Sequence, residues 1–596
     1  MRITQVDFRT VQIEKHPTRC RLRYNLYQEG EIRYPESITC RADTVVAYFL
    51  TSTIRDFITE TAHGFHVDRH WNIIPEGSFG LSFRLEFPAD AKISYLFPGL
   101  STGDSVPPEG HRVSGRTTSY ANGLYLFGKP ESTLIFTDTP RSPTEAGSIE
   151  VKPEQGPEDQ PLVGVEVRIP SASPELPPKK SRKKNARAQF FQSDGEFGYD
   201  LCLHVVTAAA DHIHRRAVSA VLERHSSGLH PAPRPAAADS SKFIAGQLRA
   251  CLDEFLYDQG PVCGLLETAR ESRISAVAGC TLALIQLRNN PGDKEGVELA
   301  RRLVDFALKG QHPAGMFYPS YQNDRRSWLS NESPLTVPLD EAVAVALMML
   351  RFAVALRSNG LAASAYLHAV LHLAEALLAA KSELEQLSGR LHPDSLLPSA
   401  PGMCSAVLIQ LFHELHQATG KDMYRKAVRS LQSGSTLQGY EATDFQTALH
   451  RAQSAVMLNV TGKELQRYFE DLLPWIHLNN PGSASEPNPV GGVRPTLGAS
   501  RLIMRGFELT YTLLKLDARI PKKARLPQLD VLIRQLLGFT SQKPMGTAFS
   551  DLEGNANERF GPRNSRIWMS ELYYTLRIAE EFPGILPHQD DSPVPT

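Results

Sequence analysis

From about residue 242 onward, helix-like segments come in pairs, and one member of every pair is apolar almost all round. The apolar set lies near 266–288, 338–356, 401–418, 443–461, 496–515 and 564–581. Amphipathic, charge-studded segments alternate with it near 242–257, 294–309, 361–381, 421–432, 463–475 and 527–537. A helix that is apolar on every side has to be covered on every side, whereas an amphipathic one can face water. Six such pairs predict a closed double ring, an (α/α)6 toroid, with six inner helices enclosed by six outer ones. Its funnel would be lined by the starts of the inner helices.

Connection lengths say which end of that ring would work. Links from an inner segment to the next outer one are short, as at Asn289–Asp293, Arg357–Gly360 and Gly420. Links from outer to inner are long: 310–337, 382–400, 476–495 and 538–563. Ordinary connections run about 4–6 residues, and structureless ones beyond roughly 12–15 are uncommon unless functional or disordered. The long ones all precede inner helices, so they should gather on one face. That face also presents the positive N-terminal ends of the inner helices.

The first 200 residues are different material. Arg21–Gln28, Val45–Leu50, Leu81–Phe87, Gly123–Phe127, Ser132–Thr137, Leu162–Ile169 and Tyr199–Val206 are rich in β-branched and aromatic residues, with turn formers between them. Many strands without long intervening helices predict an antiparallel β-sandwich. A helix is expected over 208–225, followed by the Pro- and Ala-rich stretch that begins at His230, which reads as a linker. The expected division is a sandwich over 1–206, a connecting helix and linker over 207–240, a toroidal catalytic domain over 241–585 and a tail over 586–596.

Bulk properties exclude several classes. The 596 residues carry 64 basic and 65 acidic side chains, a balance that offers no general attraction to nucleic acid or to an anionic membrane. No apolar stretch reaches the length of a spanning helix, and the N-terminus lacks the apolar core of a signal peptide. Seven cysteines without a CxxC pair suit buried, reduced thiols in a cytoplasmic protein. The basic run at 177–187 sits in a Pro-rich polar stretch between strands and reads as a solvated loop. No metal or nucleotide motif is present, so no cofactor is expected. A homo-oligomer is compatible with all of this.

The long links hold the candidate chemistry. The one from Gly310 to Pro338 offers Phe317, Tyr318, Tyr321 and Trp328 as flat faces for a pyranose, beside His312, Asn323, Asp324, Arg325, Arg326, Asn331 and Glu332 as hydrogen-bonding groups. Asp340 and Glu341 open one inner segment, and Tyr440 and Asp444 precede another. Arg494, and then Glu558, Arg559 and Trp568, belong to the last two long links and the segment that follows. A carboxylate at a helix start is held ionised and suits a base, although the same placement also serves as an ordinary cap. We therefore expect Asp340 as base and Glu332 or Glu558 as acid. Binding roles are expected for His312, Tyr318, Tyr321, Asp324, Trp328, Glu341, Tyr440, Asp444, Arg494, Arg559 and Trp568.

A sandwich, a linker helix and an (α/α)6 ring, in that order, resemble several clans of glycoside hydrolases and phosphorylases. Some polysaccharide lyases join the same modules in the opposite order. The resemblance is architectural and covers nearly the whole chain. It implies a carbohydrate-active enzyme with its site at the ring mouth. Hydrolysis of an oligo- or polysaccharide, including an acidic one, needs two carboxylates. β-Elimination from a uronate is the alternative, with Asn331, Arg325, Arg390 or Arg494 neutralising the carboxylate and His312, His392, Tyr318 or Tyr440 moving protons. An epimerase using histidine proton transfer and a non-catalytic sugar-binding scaffold complete the set.

Overall fold

In the computed structural model of the protein, the residues described towards the C-terminus are chiefly 237–328, 336–380, 389–399, 406–433, 444–476, 501–503, 505–522, 529–541, 545–547, 549–551 and 562–583. Towards the N-terminus they are 1–15, 18–28, 31–50 and the strand segments between 53 and 206. The expected helix over 208–225, its linker and the basic run at 177–187 lie outside the described residues.

Antiparallel strands make up the N-terminal part, in two sheets. One has the neighbour order Arg2–Asp7, Thr10–Lys15, Thr18–Gln28, Ser78–Glu86, Pro161–Pro170, Ser148–Gln155, His111–Ser114, with Glu31–Arg33 added to Thr18–Gln28. The other runs Ser101–Gly103, Ser94–Phe97, Gly123–Phe127, Ser132–Thr137, Tyr199–Val206, Gly64–Trp71, Thr53–Thr61, Thr44–Tyr48, Ser37–Arg41. Strand alternation buries Val11, Ile13, Leu22 and Tyr24 from the first sheet and Val45, Ala47, Ile54 and Ile58 from the second. The Tyr24 hydroxyl donates to buried Asp56 Oδ2 at 2.7 Å, a bond from one sheet to the other.

Among the described residues twelve long helices follow: α1 Ala237–Phe255, α2 Ala276–Asn289, α3 Lys294–Leu308, α4 Leu339–Ser358, α5 Ser364–Ala380, α6 Ala406–Thr419, α7 Asp422–Ser433, α8 Phe445–Met457, α9 Gly462–Leu472, α10 Gly506–Asp517, α11 Leu529–Ser541 and α12 Ser565–Glu581. The even-numbered helices form a closed inner set, and α5 of the outer set is as apolar as any of them. α2 is buried on nearly every side, whereas α3 buries one stripe through Ala300, Leu303, Val304, Phe306 and Ala307. Packing follows the pattern. α2 contacts α4, α4 contacts α6, and the series continues through α8, α10 and α12, which returns to α2. Each even helix also packs against an odd one, α1 lying against α12. Among the described residues, no helix is long and apolar enough to cross a membrane.

Short links join even helices to the next odd ones. Gly360 and Gly420, at φ of 69° and 70°, end α4 and α6 in the left-handed conformation that glycine adopts without a Cβ penalty. The long links pair with one another at the opposite end. Arg273–Ser275 pairs with Ser320–Gln322, Val337–Pro338 with Arg390–Leu391, and Arg501–Ile503 with Phe549–Asp551. They also supply acceptors for the otherwise unpaired first N–H groups of the even helices. Ala276 donates to the Pro319 carbonyl, Leu339 to Gly389 and Ser565 to Glu267. The long links thus crowd the starts of the even helices, as their lengths predict.

Candidate functional site

Charged side chains converge on the starts of the even helices. Glu267, in the link before α2, is buried, with Arg273 Nη1 at 3.5 Å from Oε2 and Arg566 Nη1 at 4.0 Å from Oε1. The same Arg566 nitrogen lies 3.3 Å from Glu341 Oε1. Arg566 belongs to α12 and Glu341 to α4, so this guanidinium reaches past the start of α2 and stands between two carboxylates. Burial pushes the Glu267 carboxyl above the usual range, and Glu271 and Glu341 reinforce that against the pull of Arg566 and Arg273. A carboxyl pushed up by burial, with a second carboxylate 3.3 Å from the same arginine, gives two carboxyl groups in different surroundings, as acid–base work uses.

A second group lies at α8, α10 and α12. Glu508, in the first turn of α10, is buried and receives Arg505 at 3.1 Å, Ser570 Oγ at 3.2 Å and Gln453 Nε2 at 3.1 Å. His450 on α8 sits beside Gln446, their side chains 2.6 Å apart. Burial lowers the His450 pKa and so favours the neutral ring, and Arg505 adds to this against Asp340, Glu508 and Asp444. Glu571 on α12 is only 1% exposed, and its Oε2 accepts the Phe507 N–H at 2.8 Å. It thereby satisfies the free end of α10. Its Oε1 is buried without a hydrogen-bond partner, and burial, with Glu508, pushes the carboxyl up to about 8.

The expected site residues have diverse placements. Asp340 is exposed in the first turn of α4, a helix whose cap, Pro338, makes no side-chain hydrogen bond. Asp444 does cap α8, accepting Thr447 N at 2.9 Å and Thr447 Oγ1 at 2.8 Å. His312 Nδ1 accepts from Ala314 N at 3.1 Å, its Nε2 lies 3.2 Å from Asp394, and Tyr318 stands edge-on to it. Tyr321 and Trp328 pack with each other and with Phe306 of α3, seating the hairpin on that helix, while Asp324 is exposed at its turn. Trp568 is buried against Phe255, and Phe317 is fully buried in the helical core. Arg390 donates to Thr336, through both its hydroxyl and its carbonyl. Glu332, Tyr440, Arg494, Glu558 and Arg559 lie outside the described residues.

Glu267, His450, Glu508 and Glu571 were not among the sequence candidates. A signal for three of them was available: a Glu or His inside a segment otherwise reading as buried has to be paired, desolvated or functional.

No protein-family profile matches the chain, and no curated protein matches it in sequence. Solved structures similar to it include a D-mannose isomerase, at TM-score 0.41 and 11% identity over 56% of this chain and 97% of that one. Cellobiose 2-epimerase from Bacillus thermoamylovorans B4167 gives TM-score 0.42 and 7% identity over 56% and 98%. A polysaccharide lyase gives TM-score 0.40 and 9% identity over 96% and 92%.

Proposed function

We propose that the chain is a carbohydrate-acting enzyme built as a β-sandwich followed by an (α/α)6 toroid, with its site at the starts of the even helices. The observation that carries this is the pair Glu267 and Glu341 on either side of the Arg566 guanidinium. In the favoured reading the reaction is glycoside hydrolysis. Glu267, whose carboxyl burial pushes above the usual range, gives its proton to the leaving oxygen. Glu341, 3.3 Å from the Arg566 guanidinium, acts as base on water or as nucleophile at the anomeric carbon. Contacts of 3.3 and 4.0 Å to one shared nitrogen are compatible with the carboxylate spacings of roughly 5–9.5 Å that such enzymes use. Asp340, Glu332 and Glu558 are further carboxylates assigned to this face by sequence.

His450 favours a second reading. A ring held neutral next to Arg505 and Glu508 suits removal of a proton from a carbon beside a carbonyl, the step of an epimerase or isomerase acting on a reducing sugar. One assay series separates the readings. The purified protein is incubated with neutral and uronate-containing oligosaccharides, following reducing ends, ultraviolet absorbance and deuterium uptake from heavy water. Hydrolysis gives new reducing ends alone, abolished in Glu267→Gln and Glu341→Gln. Epimerisation gives deuterium uptake without new ends, lost in His450→Asn. Absorbance rising with new ends indicates β-elimination, and silence throughout sinks the enzymatic reading.

A further inference from the structure

All six even helices enclose a cavity of about 880 Å³, but it lies at the end opposite the carboxylate cluster. Its lining comes from the later turns of α2, α4, α6, α8, α10 and α12, with Pro291, Asn359 and Asn459 contributed by short links. The size is that of a small-molecule site. The lining is rich in donors. Arg288, Arg351, Lys515, Arg519 and Arg577 are its cations. The carboxylates that answer them are Glu580 on Arg288, Glu414 on Arg351, and Glu581 shared by Lys515 and Arg577. Glu580 also lies 3.7 Å from Arg577, so among the described residues five cations against three carboxylates leave two positive charges over. Arg519 is one source of the excess, since its partner is the neutral Val456 carbonyl at the end of α8.

Cations near helix C-termini also answer the helix dipoles, about half a charge each at the ends. That accounts for residues at the rim. It does not account for Arg351, which sits two turns before the end of α4, inside the ring and against the Tyr573 ring. Tyr573 and Tyr574 add hydroxyls, while the Tyr573 and Tyr511 rings lie under Arg351, Arg577 and Lys515. The Tyr574 hydroxyl accepts from Gln453 at 3.0 Å and the Tyr573 hydroxyl from Arg577 at 3.0 Å, which leaves each hydroxyl hydrogen to donate.

We infer that this cavity is a second ligand site, taking a small sugar that carries a dianionic phosphate ester. The excess charge fits the phosphate, and the Tyr573 and Tyr574 hydroxyls with the Gln410 amide fit the hydroxyls of the pyranose. The site is independent of the chemistry proposed at the other end of the ring.

The test is calorimetric titration of the full chain with glucose 6-phosphate, inorganic phosphate and glucose. The ester should bind at one site per chain, at least tenfold tighter than either fragment, and weaken with added salt. Arg519→Gln leaves no carboxylate stranded, and Lys515→Met leaves Glu581 with Arg577. Both should keep the wild-type melting curve and lose about tenfold in affinity, the loss of one charge-assisted hydrogen bond. Arg566→Gln, at the other end, should bind the ester as wild type does. No binding at millimolar ester overturns the inference. So does binding lost in Arg566→Gln but not in Arg519→Gln and Lys515→Met. Equal affinity for glucose overturns the anionic assignment, and equal affinity for inorganic phosphate overturns the sugar part.

Discussion

The Gln453 side chain donates to Glu508 Oε1 at 3.1 Å, joining the cavity at one end of the helical ring to the charged cluster at the other. The same amide nitrogen lies 3.0 Å from the Tyr574 hydroxyl, and the Gln453 oxygen accepts from Gln410 at 3.4 Å. Gln453→Leu removes all of these and leaves a buried carboxylate short of one donor. The expected cost is about 1–3 kcal/mol, the penalty for an unsatisfied buried polar group. Urea denaturation measures it, and a variant as stable as wild type would show that the bonds contribute nothing net.

Glu571 gives the protein a pH dependence of definite sign. Its carboxyl, ordinarily at 4.5, is pushed up to about 8 in the folded chain. The folded state then binds more protons than the unfolded one across that window. Its contribution to stability is fully present below 4.5 and is lost as pH rises through about 8. Glu571→Gln keeps an acceptor for the Phe507 N–H but cannot ionise. Its melting temperature should fall less than that of wild type between pH 5 and pH 8, on the order of the window itself. Parallel melting curves would contradict the assignment.

His450 is expected to titrate below the ordinary histidine range, because burial disfavours the charged ring. Nuclear magnetic resonance of the labelled ring across pH 4–8 reads this directly. A midpoint at or above 6.5 contradicts it. The linked stability has the opposite sense to that of Glu571: it is present above 6.5 and lost as pH falls through the folded value.

The hairpin carrying Trp328 is seated by a close approach at Gly310. A Cβ there would stand 2.7–2.8 Å from the Trp328 indole, well inside contact distance. Gly310→Ala is therefore expected to destabilise by about 1–3 kcal/mol through overpacking. It should also loosen the hairpin, seen as faster amide exchange at Tyr321 and Gln322. A neutral substitution would mean the indole moves aside freely, as a sugar-stacking ring rather than a packing one would.

At the proposed site, Glu267→Gln and Glu341→Gln should each lower kcat by at least 10²-fold, with little change in KM, since both act on the proton or on the anomeric carbon in the transition state. A loss confined to KM would assign them to binding alone. Arg566→Gln frees both carboxylates from their shared guanidinium, so the pH profile of kcat should shift as well as fall.

The helices and strands were legible in the sequence because their causes are local. Burial on most sides makes α4 and α6 chiefly apolar, and Gly360 and Gly420 end them with left-handed turns. The lengths of the links placed the long ones on one face, since each precedes an even helix. Asp444 was legible as a first-turn residue, and the Thr447 bonds gave it a cap's work. Tyr321 and Trp328 looked like open faces because sequence shows an aromatic but not what it leans on, and Phe306 is 15 residues or more away. Glu267, Glu341 and Arg566 come from a link, α4 and α12, separated along the chain by more than 200 residues at the extremes. Sequence by itself determined which segments must be covered and which links are long, because period, caps and glycines act within a turn or two; the starts at 266 and 496 moved to 276 and 506, since Arg273–Ser275 and Arg501–Ile503 pair as strands with distant links. Only the closing of the ring decided which charges meet and which end holds the cavity, because those energies depend on distance through space and on the removal of water.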